Sequence, residues 1–337
     1  MKNLEFKITK AFLTLTLISI FYILNTNAAH AQNVDLGIYP PIFQAQTTAP
    51  ADVNVPFYIE NFADNPVSIS VSLKPFTASS MENGQIEFLD STNSLPDSLI
   101  LEKVKILDNN NPITSLNLSA KQKKNLSLEI QIPADQPKGD YYFSVIFNSN
   151  PSPSNSNSSG ASAGVASNVL LTVGPVGKTQ GIIEEFSSPF LSFNGPIPFT
   201  VKLRNTSDHF ITIKGDIIIK NLFGQSIGKV SLLPVNVLSN TIRRIPDSLQ
   251  SSDISDKNFE KIRDIVQNNQ FPVAVWPEKF LFGPYTASLT LSMSEQGPVY
   301  QRQIVFFAFP LEYLLAFLLI IGIVIYIVIR VRKKIRG

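Results

Sequence analysis

Cysteine is absent from the 337-residue chain, and histidine occurs twice, at His30 and His209. The first absence removes thiol nucleophiles, disulfides and every zinc site built on cysteine; the second leaves no set of histidines for a metal. Tryptophan occurs once, at Trp276, and charged residues make up only 16% of the chain. No phosphate-cradling glycine loop and no dinucleotide fingerprint occurs. The net charge of +2 is too small to argue for a nucleic-acid partner.

Apolar residues are plentiful, at 44%, but they crowd the two ends. Lys2, Lys7 and Lys10 precede AFLTLTLISIFYIL (11–24), and small residues follow at Ala29 and Ala31. A charged start, an apolar stretch and an A-x-A site predict a signal peptide over 1–31, cleaved before Gln32. At the other end YLLAFLLIIGIVIYIVI (313–329) carries no charge and is followed by Arg330, Arg332, Lys333, Lys334 and Arg336. That pattern predicts a transmembrane helix over 311–330 and a basic cytoplasmic tail over 331–337. The expected product is a single-pass plasma-membrane protein with its N-terminal ectodomain outside. Once the signal and tail cations are set aside the ectodomain is acidic, a further argument against nucleic acid. Without disulfides it must be held by hydrophobic cores, and its length allows two domains.

A repeat organises that ectodomain. PFYIENFADNPVSISVSL (56–73) resembles PFTVKLRNTSDHFITIKG (198–215), and KGDYYFSVIF (138–147) resembles FGPYTASLTL (282–291). Asn61 and Gly139 are 78 residues apart, and so are Asn205 and Gly283. Two motifs in one order at one separation predict tandem copies over 32–176 and 177–307. Alternation within each copy is that of half-buried strands: Val53, Val55, Phe57 and Ile59, then Val67, Ile69, Val71 and Leu73, face one way. Phe199, Val201 and Leu203, then Ile211, Ile213, Ile217 and Ile219, repeat the pattern. Short strands separated by turns predict an all-β chain of two tandem immunoglobulin-like β-sandwich domains followed by one transmembrane helix. Tyr141 and Tyr285, each two residues after a glycine, fit the tyrosine corner of such sandwiches.

Two segments interrupt the alternation. NSNPSPSNSNSSGASAG (148–164) is too polar to fold alone and reads as a long hairpin loop. SSDISDKNFEKIRDIVQNNQF (251–271) predicts a helical insertion near 253–268, with Phe259, Ile262 and Val266 on one face.

Chemistry is sparse. Loss of the signal leaves His209 as the one histidine, beside Ser207 and Asp208, but triads are assembled across a fold, so adjacency favours an exposed turn. Glu184 and Glu185 read as a solvated strand end, and DNNNP (108–112) as a turn without calcium-loop spacing. Trp276 reads as core, with sugar stacking as its alternative role. No catalytic, cofactor-binding or metal-binding residue is therefore assigned, no cofactor is expected, and the ligand-binding residues stay unassigned.

LGIYPPIF (36–43), NFADNPVSISVSL (61–73) and QIPADQPKGDYYFSVIF (131–147) resemble the peptidoglycan-binding domain of the WxL-interacting proteins of Gram-positive bacteria. NGPIPFTVKLRNTSDH (194–209), GDIIIKNLFGQSIGKV (215–230) and FGPYTASLTL (282–291), ahead of the apolar segment, resemble that family's second domain and anchor. The resemblance implies a first domain on cell-wall glycan and a second on a host or surface partner. The expectation is a noncatalytic, membrane-anchored surface protein that binds cell-wall peptidoglycan or a surface protein. A scaffold subunit acting through 251–271 and a wall-glycan hydrolase using a carboxylate pair are the alternatives.

Overall fold

The structure is a computed structural model that describes residues 35–89, 100–149, 163–248, 272–294 and 297–336, with side chains in the last helix described at Leu311, 318–330 and Arg332. The predicted signal peptide, most of the 148–164 loop and the predicted helix near 253–268 lie outside the described residues.

Alternating residues form strands throughout. In the first half these are β1 (Leu36–Tyr39), β2 (Ile42–Thr47), β3 (Ala51–Asn61), β4 (Val67–Ala78), β5 (Ile86–Phe88), β6 (Val104–Asp108), β7 (Asn111–Pro112), β8 (Ser115–Leu118), β9 (Lys123–Ile132), β10 (Gly139–Ser149) and β11 (Gly164–Val173). They make one sheet of order β1-β3-β9-β6-β7 and another of order β2-β11-β10-β4-β5, with β8 beside β4. Phe57, Ile59, Ile69, Leu128, Ile130, Phe143, Val145, Phe147 and Leu171 meet in one core, each at most 4% exposed. Phe57, for example, meets Phe43 edge-on at 5.9 Å between ring centroids.

The second half contains β12 (Gly181–Ser187), β13 (Leu191–Ser192), β14 (Ile197–Asn205), β15 (Ile211–Lys220), β16 (Ser226–Ser231), β17 (Val235–Val237), β18 (Ile242–Arg244), β19 (Ala274–Trp276), β20 (Gly283–Ser292) and β21 (Val299–Ala308). Its sheets run β12-β14-β18, with β19 on β14, and β13-β21-β20-β15-β16, with β17 on β15. The order is that of the first half: β2 and β13 each lie parallel to a neighbour, β11 and β21, while their preceding strands β1 and β12 pair antiparallel in the opposite sheet. In each copy the chain thus changes sheets within its first two strands. A separate core holds Phe199, Val201, Leu203, Ile217, Ile219, Leu289, Leu291 and Phe306, all fully buried.

Two polar devices recur. Asn61 and Asn205 are both fully buried. Asn61 Nδ2 donates to the carbonyls of Asn65 (2.8 Å) and Ser119 (2.9 Å), and its Oδ1 accepts from Ala63 N. Asn205 Nδ2 donates to the carbonyls of His209, Val237 and Leu238, and its Oδ1 accepts from Ser207 N. Each ties down the turn between two strands, and the fourth residue on is Asn65 in one copy and His209 in the other. Tyr141 donates to Pro137 O at 2.6 Å and Tyr285 to Phe282 O at 3.3 Å, so both tyrosine corners are present. The glycines before them, Gly139 and Gly283, have φ of 145° and 105°, which a side chain would strain.

α1 (Leu311–Arg336) follows β21 almost directly. Among the described residues no helix is long and apolar enough to cross a membrane.

Candidate functional site

The residues that face water on β1, β3, β9 and β6 form the most distinctive surface of the first sandwich. Alternation puts Asp52, Asn54, Pro56, Tyr58 and Glu60 on the outer side of β3, because Phe57, Ile59 and Asn61 point inward. β9 presents Lys123, Asn125, Ser127, Glu129 and Gln131 beside them. Register then sets Tyr39 opposite Tyr58 and Tyr58 opposite Asn125, while Glu129 lies between Asn54 and Lys105.

Tyr39 and Tyr58 stack with ring centroids 5.5 Å apart and an interplanar angle of 29°. Tyr39 is 59% exposed. Lys123 Nζ lies 3.5 Å from the Tyr58 ring centroid, an exposed cation–π contact worth about 0.5–1 kcal/mol. The result is an aromatic platform bordered by amide, hydroxyl, carboxylate and ammonium groups, which offers both donors and acceptors. From Asp52 to Glu60 the strand extends ~27 Å at ~3.4 Å per residue, long enough for several sugar rings.

The residues singled out in the sequence are placed elsewhere. His209 is buried, 6% exposed, which corrects the exposed turn expected for it. Its Nδ1 lies 2.8 Å from Asp208 Oδ1 and its Nε2 lies 3.2 Å from Thr179 Oγ1. The 174–181 connection brings the Thr179 hydroxyl to the Nε2 edge of the ring. Ser207 Oγ donates to Gln180 O (3.0 Å) and accepts from Gln180 N (2.7 Å), so it is engaged in pinning that connection. The hydrogen bond with His209 holds the Asp208 carboxyl below its ordinary value. The three residues are therefore a strand corner with each polar group in structural use.

Glu184 is the extra residue of a bulge in β12 between Ile183 and Glu185, and the two glutamates separate, Glu184 to Arg204 and Glu185 to Lys202 at 3.5 Å. Asp108 pairs with Lys124 at 2.6 Å, and Asn109 and Asn110 take φ of 49° and 65° in a two-residue hairpin. Among the described residues no group of three acidic or histidine side chains is placed to hold a metal ion. Trp276, 4% exposed, meets Tyr285 and Phe306 edge-on, which removes it as a sugar platform.

A concave feature lies at the joint of the sandwiches. Phe76, Leu170 and Leu238 bury a small core there, and a cavity of about 110 Å³ beside it is lined from both sides, by Gln85 and Asn168 and by Asn236 and Arg243. Arg243 Nη1 donates to Asn236 O at 2.6 Å, and burial lowers its pKa from the ordinary value. Asp140 ties the joint: its Oδ1 accepts from Thr172 Oγ1 at 2.7 Å, and its Oδ2 accepts from Tyr142 OH and from Phe210 N across the boundary. Glu82 reaches over to Lys202 at 3.0 Å.

Tyr39 and Tyr58 were overlooked in the sequence because they sit within runs that read simply as strands. A signal was present: Tyr58 occupies an outward position between Pro56 and Glu60, where alternation calls for a polar residue.

Residues 43–149 match the family described as WxL Interacting Protein, peptidoglycan binding domain. The match contains β3, β9 and β6 of the outer face and begins four residues after Tyr39. No curated protein matches the chain. Among solved structures, the Salmonella enterica SafA pilin in complex with the SafB chaperone is similar at 9% identity and a TM-score of 0.38, over 81% of this chain and 98% of that one. The E. coli chaperone DraB is similar at 7% identity and a TM-score of 0.35, over 81% and 98%. A family 123 glycoside hydrolase from Clostridium perfringens is similar at 13% identity and a TM-score of 0.29, over 43% of this chain and 28% of that one. Likenesses this distant carry no argument about function.

Proposed function

We propose, proceeding from a chain that belongs to the WxL-interacting protein family through residues 43–149, that this is a noncatalytic cell-surface protein whose first sandwich binds cell-wall peptidoglycan. The observation that carries the reading is the stacked Tyr39–Tyr58 pair, edged by Asn125 and Lys123, on the outer face of the first sandwich, with Tyr58, Asn125 and Lys123 inside the matched segment. An aromatic plane takes the apolar face of a sugar ring, while the surrounding amides and carboxylates take its hydroxyls. Carboxylates of the wall peptides would meet Lys123 and Lys105 on the same face.

In this reading the two immunoglobulin-like domains occupy 32–176 and 177–307 after signal removal, and α1 is a transmembrane anchor with Arg330 and the basic tail in the cytoplasm. Anchoring raises the local concentration of the glycan face at the wall, so modest intrinsic affinity suffices. A second reading, a surface protein partner, is favoured by the β15–β16 hairpin, whose tip exposes Leu222 (71%) and Phe223 (83%) beside an edge strand.

The test is sedimentation of the full chain, in detergent micelles, with insoluble peptidoglycan. Wild type is expected in the pellet, and Tyr39→Ala or Tyr58→Ala should weaken binding at least tenfold, which is about 1.4 kcal/mol. Equal sedimentation of all three proteins would remove the platform from the mechanism, and release of soluble sugar in the same incubation would replace the binding protein with a hydrolase.

A further inference from the structure

Phenylalanine collects at the end of the second sandwich that leads into α1. Phe190 and Phe193 flank β13, Phe282 precedes β20, Phe307 lies near the end of β21, and Phe309 follows it. Phe190, Phe193, Phe282 and Phe307 are 68%, 51%, 65% and 39% exposed. Four of the five are paired: Phe190 packs on Phe307 with centroids 5.3 Å apart, and Phe282 on Phe309 at 5.4 Å. Backbone bonds hold the two segments together, from Phe307 N to Phe190 O at 2.7 Å and from Phe309 N to Ser192 O at 2.8 Å. A phenylalanine ring has no polar group to offer water, and a contiguous exposed cluster of such rings marks a surface that something apolar covers.

The chain itself indicates what covers it. α1 starts at Leu311, two residues after Phe309. The uncharged run 313–329 has 17 residues, so it rises ~26 Å at 1.5 Å per residue, a few Å less than the ~30 Å of a bilayer's hydrocarbon. A span slightly too short draws its flanking residues toward the interface, and Arg330 fixes the opposite boundary. There is no spacer between span and sandwich, so the phenylalanine end is held at the depth where apolar side chains settle among lipid headgroups.

We infer that Phe190, Phe193, Phe282, Phe307 and Phe309 form a collar seated in the lipid interface, so that the second sandwich stands on the bilayer instead of swinging from α1. The inference rests on the reading of α1 as a membrane span. Its effect is orientation: a seated base restricts the directions in which the first sandwich projects.

The test uses the full chain in vesicles of phosphatidylcholine and phosphatidylglycerol carrying brominated acyl chains, which quench tryptophan by contact. Trp276, buried at 4% exposure, gives a constant background. Single variants Phe190→Trp and Phe282→Trp report the collar, Ile325→Trp reports α1, and Phe88→Trp, 47% exposed on the first sandwich, is the control. Expected is strong quenching of the two collar variants by bromines near the headgroup and of Ile325→Trp by deeper bromines, with Phe88→Trp unaffected. If Ile325→Trp is quenched and the collar variants are not, the collar is overturned while the span stands. If Ile325→Trp is not quenched, the span fails and the collar with it. Burial of the collar variants that depends on protein concentration and not on lipid would assign the surface to a second copy and overturn the inference as well.

Discussion

Asn205→Ala is expected to destabilise the second sandwich by about 3 kcal/mol. The side chain is fully buried and makes four bonds: Nδ2 to the carbonyls of His209 (2.8 Å), Val237 (3.0 Å) and Leu238 (3.1 Å), and Oδ1 from Ser207 N (2.8 Å). Leu238 O keeps a partner after the change, because Thr241 Oγ1 donates to it at 2.9 Å. Ser207 N, His209 O and Val237 O lose the bonds Asn205 gave them, and a buried group without a partner costs about 1–3 kcal/mol. Three such groups at the lower end of that range give the stated figure.

Trp276 is the one tryptophan and lies in the second core, so its emission follows that domain alone. In urea unfolding of the full chain in micelles, with a slope of ~2 kcal/mol per molar, the midpoint should fall by roughly 1.5 M. Asn205→Asp should fall at least as far, since it keeps an acceptor for Ser207 N but sets a carboxylate against three carbonyls. Asn61→Ala should shift the transition of the first sandwich instead. A midpoint lowered by less than ~0.5 M in Asn205→Ala would refute the reasoning, because it would mean that the freed backbone groups find other partners at little cost.

The joint and the β12 bulge supply the other expectations. Asp140→Ala removes the acceptor for Phe210 N, Tyr142 OH and Thr172 Oγ1, and bonds to a charged group are worth about 1.5–3 kcal/mol each. The cysteine-free chain accepts one spin label on each sandwich, and the measured distance distribution should broaden in Asp140→Ala; an unchanged distribution would count against Asp140 as the tie. The Glu185 carboxyl is held below its ordinary value, first by the hydrogen bond from Ser187 Oγ and then by Lys202. A depressed folded pKa gives stability that is complete above the unfolded value, near 4.5, and is lost as pH falls through the folded one. Melting temperature should therefore drop less steeply below pH 4.5 in Glu185→Gln than in wild type, and parallel curves would exclude this carboxylate as a contributor.

How far the sequence disclosed these arrangements depends on the range of the interaction. Asn61 and Asn205 were legible because a turn between adjacent strands needs a short amide at one position, and tandem copies preserve the spacing to the next turn glycine. The core residues were legible for a similar reason, since alternation follows directly from the pleat. His209 was misread because its environment comes from Thr179, thirty residues earlier, and no local pattern announces that the connection folds over it. The crossing of β2 and β13 to the opposite sheet was also hidden, because a strand reads the same in either sheet. Glu82 with Lys202, and Phe190 with Phe307, join positions about 120 residues apart in sequence. Periodicity carries no information at that distance.

The repeat also explains why one sandwich, and not both, presents an aromatic face. With Asn61 placed on Asn205, Tyr58 falls on Lys202, and the cross-strand register that sets Tyr39 opposite Tyr58 sets Glu185 opposite Lys202. The same pair of outward positions is thus a stacked tyrosine platform in the first copy and a charged pair in the second. Lys202 is, in addition, the residue that reaches Glu82 of the first sandwich. A tyrosine there would give up the ion pair at the joint, and a lysine at 58 would give up the platform. Equivalent positions of the two copies thus carry a stacked tyrosine pair in one and, in the other, the lysine that reaches across the joint. The joint lies at the Asn205 end of β14 and the phenylalanine collar beyond the Ile197 end, ~27 Å away at ~3.4 Å per residue. In the proposed reading the second sandwich is a spacer whose length is that of its strands, and the Lys202–Glu82 and Asp140 ties at the joint hold the tyrosine face above it.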